Sequence, residues 1–220
     1  MQDFETEEQQ IDALKQWWKE NSSSLFIGLA IGGFTLGGWN FYNQSQFDHG
    51  IEASDMYVSV VVQAEVNAES SFDTLVVDKL AAGYSDTPYA ALSALVVAKH
   101  AVANGDIDQA ISRLQWAMDN AVEQEVASVA QLRLARLMLS QKKYDEANAL
   151  LASKHPEAFN ALYEELKGDL FVAKGEFEQA RIAYDKAIAD SGNGNRWLRL
   201  KRQDLGDSEL DSLALTEPAA

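Results

Sequence analysis

The 220-residue chain has no cysteine, only three prolines, and 18 Lys and Arg against 34 Asp and Glu. Each scarcity removes a class of protein. Without cysteine there is neither a disulfide framework nor a thiolate site, and an oxidising compartment would be tolerated. The shortage of cations leaves a net charge of −16. From Asp48 onward 28 Asp and Glu stand against 16 Lys and Arg, which disfavours nucleic acid and anionic lipid head groups as partners. Charge is missing altogether from the 27 residues between Glu20 and Asp48, and no proline interrupts Leu25 to Asn67.

What fills that gap is a hydrophobic run. Leu25 to Tyr42 is apolar except for Thr35 and Asn40, and about 20 apolar residues rising roughly 1.5 Å each cover a hydrocarbon core of roughly 30 Å. The run therefore reads as a transmembrane helix over 25–42. A cleaved signal peptide would begin with a basic region and end in a small-x-small site, whereas here polar residues come first and Trp39-Asn40-Phe41-Tyr42 follows. Trp17 and Trp18 on one side and Trp39, Phe41 and Tyr42 on the other suit the two interfaces. Lys15 and Lys19 precede the span and the next cation is Lys79, so the amino terminus is expected in the cytoplasm and everything after Tyr42 outside it. Within residues 1–24, Ile11, Leu14, Trp17 and Trp18 recur at helical spacing and predict a short amphipathic helix over 7–20 at the cytoplasmic interface. Gly28-xxx-Gly32 and Gly33-xxx-Gly37 are overlapping small-xxx-small patterns that would let another transmembrane helix pack closely; the bland alternative is a Gly-rich anchor.

Beyond the span, internal repetition is the strongest signal. Asn104-Gly-Asp-Ile-Asp-Gln-Ala110, Gln141-Lys-Lys-Tyr-Asp-Glu-Ala147 and Lys174-Gly-Glu-Phe-Glu-Gln-Ala180 superimpose, with alanines 37 and 33 residues apart and Leu114, Leu151 or Tyr184 four residues later. A period of about 34 with a turn leading to a helix that opens on Ala is similar to the tetratricopeptide repeat. Gly105 and Gly175 permit the positive φ that ends a helix, and Ile107, Tyr144 and Phe177 are expected as apolar plugs between paired helices. The small residues Ala98, Ala135 and Gly168 stand at the contact point of each first helix. The match has departures. Lys142 replaces the turn glycine, Lys154 replaces a small residue in the second helix of the middle repeat, and the usual terminal proline is absent. The expected fold class is thus all-α, one transmembrane helix followed by an α-solenoid of divergent repeats over 88–191; an all-α array without that ancestry is the alternative.

Residues 43–87 read as a membrane-proximal helical pair that caps the array. Gln46 to Asn67 carries the apolar positions Ile51, Met56, Tyr57, Val60 and Val61, and Ser70 to Gly83 forms the second helix. Gly192-Asn193-Gly194-Asn195 breaks the last repeat, a basic-apolar capping helix follows over 196–205 within the segment 192–205, and 206–220 has the composition of a disordered acidic tail.

No catalytic constellation is present in the pattern. His49, His100 and His155 are isolated, and Glu164 and Glu165 point about 100° apart on a helix, so they do not form a general acid and base pair. The glycines at 28, 32, 33 and 37 precede no Gly-Lys-Ser/Thr, and Ser22, Ser23 and Ser24 have no His or Lys placed to activate them. No cofactor is expected, and neither is an enzyme. A repeat stack implies binding, because each repeat contacts only its neighbours and the curve exposes a face to an extended partner. Repeat register directs Lys99, Arg136, Glu165 and Asp169 to that face with Leu92, Leu95, Val129, Leu132 and Leu162 beside them, as a peptide or protein groove; the alternative for the aliphatic positions is core packing.

The order of several short runs is more specific than any of them. The stretch Gln10-Ile11-Asp12-Ala13-Leu14-Lys15, Trp17-Trp18, Glu20-Asn21 and a Gly-rich span ending in Gly38-Trp39 is followed by Pro88-Tyr89-Ala90-Ala91-Leu92-Ser93-Ala94-Leu95, Leu132-Arg133-Leu134-Ala135-Arg136, Leu166-Lys167-Gly168-Asp169 and Lys174-Gly175. In that order the chain resembles, over nearly its full length, the YfgM family of ancillary subunits of the bacterial SecYEG translocon. The resemblance implies a single-pass inner-membrane protein with its repeats in the periplasm. Its partners would be the SecYEG translocon, a PpiD-like periplasmic chaperone and translocating polypeptides, and its role the handing of emerging chains to periplasmic chaperones. The rival expectation is a generic periplasmic scaffold for envelope assembly, which would join folded proteins in stoichiometric complexes.

Overall fold

The computed structural model describes residues 7–66, 74–192 and 195–206. Among them the regular elements are all helices: α1 (Glu7–Val66), α2 (Leu75–Gly83), α3 (Pro88–Ala103), α4 (Ile107–Asn120), α5 (Gln124–Ser140), α6 (Tyr144–Leu151), α7 (Asn160–Lys174), α8 (Phe177–Asp190) and α9 (Arg196–Asp204), with one 3-10 turn at Glu157–Phe159. The expected start of the second capping helix at Ser70, and the tail beyond Gly206, lie outside the described residues. The chain divides into two units, Met1–Ile51 and Glu52–Ala220.

In the first unit the apolar run is helical and faces outward, with Leu25, Phe26, Ile27, Leu29, Ile31, Phe34 and Leu36 all exposed. Among the described residues α1 is the one helix long and apolar enough to cross a membrane. Two of its polar side chains bond back to the helix itself. Thr35 Oγ1 donates to the Ile31 carbonyl at 2.8 Å and Asn21 Nδ2 to the Trp17 carbonyl at 2.9 Å, which is the local solution open to hydroxyls and amides in or beside an apolar segment. The outward helix continues the span, as the lack of proline between Leu25 and Asn67 allows, and the amphipathic helix expected over 7–20 is not separate but joins them in one element, α1. Glu20 to Ser24 contains neither glycine nor proline, and the Asn21 bond supports the helix there instead of ending it.

The second unit is built from three helical hairpins, α3/α4, α5/α6 and α7/α8. Each first helix ends in the same way. A left-handed residue, Gly105 (φ 78°), Lys142 (φ 59°) or Gly175 (φ 78°), turns the chain. The next amide then reaches back five residues: Asp106 to Ala101 at 2.9 Å, Lys143 to Met138 at 2.9 Å and Glu176 to Phe171 at 2.8 Å. These are the closing bonds of a Schellman turn, and the middle repeat makes one although it carries lysine in place of glycine. The second helices open on Ala110, Ala147 and Ala180, all completely buried, so the paired backbones approach closely. Ile107 and Tyr144 are half-buried against the main core, as expected. Phe177 is not a plug. It is half exposed, because the element beyond it is no further repeat but the end of α9, where Leu205 and Gly206 share its edge.

The middle second helix is also shorter than its counterparts: α6 spans 8 residues where α4 and α8 span 14. Lys154 therefore lies beyond it. Pro156 restricts the residue before it to extended backbone, and His155 is held outside the helix, its ring stacked on Tyr163 at 3.7 Å and bonded to Asn160 at 3.2 Å. Gln131 of α5 bridges the shortened helix by donating to the Leu150 carbonyl and accepting from Tyr163 Oη at 2.9 Å. Burial raises the pKa of that Tyr163 phenol.

One core runs through α3 to α7, from Ala91 and Leu114 to Tyr163 and Leu170. A second cluster joins Ala53 and Val60 of α1 to Val77, Leu80 and Tyr84 around α2 and to Ala90 and Val97 of α3. Tyr84 also hydrogen-bonds Glu52, whose carboxylate holds its pKa above the ordinary phenol value. A third cluster seats Leu198 of α9 on Ala180, Tyr184 and Ala187. Both ends of the repeat array are thus covered.

Two substitutions test this packing. A Cβ on Gly168 would lie 2.3 Å from the Tyr184 ring, so Gly168→Ala should destabilise the protein by about 1–3 kcal/mol in a denaturant titration despite alanine's better helix propensity. Lys142→Gly removes the left-handed strain on a residue with a side chain and should stabilise by about 0.5–1 kcal/mol. An unchanged midpoint for either variant would contradict the corresponding contact.

Candidate functional site

The C-terminal halves of α3 and α5 lie side by side over α4. Lys99 and Val102 are three residues apart on one face of α3, and Arg133, Arg136, Leu137 and Ser140 share a face of α5 by the same periodicity. Together with Ala98 below and Leu114 from α4 they enclose an open pocket of about 450 Å³. Its floor is aliphatic and its rim carries three cations. Several other cations of the second unit are neutralised, as Arg113 is by Asp78 at 2.8 Å and Arg202 by Asp185 at 2.9 Å, while among the described residues Lys142, Lys143, Lys154 and Lys186 are not paired with an acid but line no such aliphatic hollow together. Among the described residues Lys99, Arg133 and Arg136 have no such acid. Lys99 also borders a second cavity of about 420 Å³ with Val61, Ala64 and Glu65 of α1 and Val96, His100 and Ala103 of α3. The two hollows share that lysine.

Of the nine positions that repeat register directs to a binding face, Lys99 and Arg136 line this pocket. The others do not. Leu95 and Leu132 are 6 % and 2 % exposed and belong to the core, because α3 and α5 each have a neighbour on both sides and their second apolar face is buried as well. Leu92 and Val129 are half-buried against the same core, and Leu162 is exposed near the start of α7. Arg133 and Val102 were not singled out by register; their separation of three residues from Arg136 and Lys99 was the available signal.

Glu165 and Asp169 sit one turn apart on α7 and already have a partner. Lys201 Nζ of α9 donates to Glu165 Oε1 at 2.8 Å and to Asp169 Oδ1 and Oδ2 at 2.8 and 2.9 Å. Tyr184 Oη donates to Asp169 Oδ1 at 2.8 Å. Burial opposes the Lys201 ammonium, but the two carboxylates outweigh it and hold its pKa above the ordinary lysine value. Burial, then the hydrogen bond to Asp169, pushes the Tyr184 phenol well up. This anionic pair is therefore a latch for the C-terminal helix. It is reinforced by Arg181, which is 7 % exposed, donates to the Leu205 carbonyl at 2.7 Å and bonds Glu178, lowering the pKa of that carboxylate.

Gly28, Gly32, Gly33 and Gly37 lie on the exposed surface of α1, with open space where a Cβ would stand. Among the described residues no group of three or more His, Asp or Glu could hold a metal ion. His100 is buried beside Asn104 at 3.0 Å, and His155 is held as described above.

A family model described as a tetratricopeptide repeat-like domain matches residues 15–207. Curated relatives share the length. The ancillary SecYEG translocon subunit of Escherichia coli K12 is 29 % identical over 86 % of this chain and 90 % of its own. That of Haemophilus influenzae is 29 % identical over 82 % of this chain and 88 % of its own. The one from Aggregatibacter actinomycetemcomitans is 30 % identical over 84 % of this chain and 90 % of its own. No solved structure matches the chain.

The latch has a pH signature. A pKa raised in the folded state contributes stability that is fully present below the unfolded lysine value of about 10.4 and is lost as pH rises through the folded value. Amide protection of α9, corrected for base-catalysed exchange, should hold to about pH 10 and fall above it. Lys201→Met should lose about 1–2 kcal/mol at neutral pH, the modest figure reflecting a lysine side chain 37 % exposed. Unchanged stability in that variant would contradict the latch.

Proposed function

Because the chain belongs to the family of ancillary SecYEG translocon subunits, we propose that it is a single-pass inner-membrane subunit of the Sec translocon that transfers translocated polypeptides to periplasmic chaperones of the PpiD kind. The observation that carries this reading is the pairing, in one chain, of a helix apolar enough to span a membrane with a repeat array that leaves an open groove. Binding, not catalysis, is the activity such a surface offers.

Orientation follows from Lys15 and Lys19 before the span and the absence of a cation after it until Lys79, which keeps the amino terminus in the cytoplasm and the repeats in the periplasm. Residues 1–24 are the cytoplasmic segment, 25–42 the span, 43–87 the capping pair, 88–191 the repeats, 192–205 the closing helix and 206–220 the tail. The exposed Gly28, Gly32, Gly33 and Gly37 form the surface on which a transmembrane helix of the translocon packs, since small residues let two backbones approach in lipid.

The test is photo-crosslinking in living cells, with one reactive residue at Gly32 in the span and another at Ser140 on the pocket rim, and the adducts identified by mass spectrometry. Translocon adducts from position 32 and many secretory polypeptides from position 140 are the expected result. One dominant folded envelope protein at both positions, with no translocon, would replace this reading by a scaffold for envelope assembly.

A further inference from the structure

We infer that the pocket between α3 and α5 selects extended polypeptide segments in which a large apolar side chain is flanked by Asp or Glu. The inference rests on the proposed function for its setting and on the pocket for its content. A volume of about 450 Å³ suits one large side chain with its adjoining backbone, not a folded surface. The floor of Ala98, Val102, Leu114 and Leu137 offers that side chain aliphatic contact and no polar group to satisfy.

The rim decides the neighbours of that side chain. In a chain of net charge −16, three cations around one hollow are a local inversion of sign. Among the described residues Lys99, Arg133 and Arg136 form no ion pair, so their charges are available to a ligand. Two of them are arginines, whose planar forks match carboxylates in a bidentate manner. A lone anion would leave the aliphatic floor unused, and a purely apolar segment would leave the rim unused. Only an acidic-apolar segment engages both.

The neighbouring hollow that Lys99 also borders contains Glu65 of α1, which repels carboxylate, so the acidic residues of the bound segment gather at the rim between α3 and α5. The net negative charge of the rest of the array opposes acidic segments in general, and loss of the preference on removing the three rim cations assigns it to this site.

The experiment uses the full chain in lipid nanodiscs and three fluorescein-labelled synthetic peptides read by anisotropy: Ser-Asp-Glu-Leu-Phe-Asp-Glu-Ser, the same peptide with Asn and Gln for Asp and Glu, and the same with Lys for all four acids. The acidic peptide should bind at least about tenfold more tightly than the amide peptide, and its affinity should fall several-fold between roughly 50 and 300 mM salt. The triple variant Lys99→Gln, Arg133→Gln, Arg136→Gln changes exposed side chains only and should abolish that preference while leaving the denaturant midpoint unchanged. Val102→Asp should weaken all three peptides. Equal binding of acidic and amide peptides, no binding of either, or an intact preference in the triple variant would overturn the inference. Crosslinking from Gly32 reports the translocon association separately. If that crosslink persists without peptide preference, the pocket assignment alone fails; if the preference persists without the crosslink, the translocon reading fails and the pocket stands.

Discussion

The repeat array depends on how each first helix stops. Its last residue gives way to a left-handed position, the following amide bonds back five residues, and the chain returns along a helix that begins on a buried alanine. Small residues are required because the hairpin closes at once and the second helix must cross the first within a few residues of the turn. The same geometry allows Gly168 to lie against the Tyr184 ring, and that contact positions the Tyr184 hydroxyl on Asp169. Closing the hairpins therefore also builds the site where the C-terminal helix docks. The middle repeat shows the strength of this constraint, since Lys142 adopts the left-handed backbone without glycine's freedom.

Charge is distributed unevenly over that frame. Acids predominate, yet toward the C-terminal end several of them are matched: Lys201 holds Glu165 and Asp169, Arg181 holds Glu178 and Arg202 holds Asp185. The end of a solenoid needs such a cover, because the face that would have met another repeat is otherwise open to water. At the α3/α5 pocket the balance is reversed, with cations unmatched above an aliphatic floor. One set of charges holds the fold together and the other remains available, and that contrast separates a latch from a binding surface.

The helical hairpins were legible in the sequence because their determinants are local. The turn residues, the alanines and the apolar positions four residues later recur in register, and the apolar run of α1 is identified by length alone. What escaped was tertiary. Glu165 and Asp169 share a helical face with a plausible groove, but Lys201 is more than thirty residues away and nothing local announces that it returns to them. Leu95 and Leu132 have the spacing of a groove lining and are core because their helices are flanked on both sides. The short α6 had a local signal in Pro156, which the repeat pattern overshadowed.

The most direct measurement is hydrogen–deuterium exchange of the full chain in nanodiscs, with and without a saturating unfolded secretory polypeptide. Added protection confined to the C-terminal halves of α3 and α5, around Lys99 to Ala103 and Arg133 to Ser140, is the result expected of a groove that holds extended chains. Protection over α7 to α9 with none at α3 and α5, or no protection anywhere in the repeats, would contradict it.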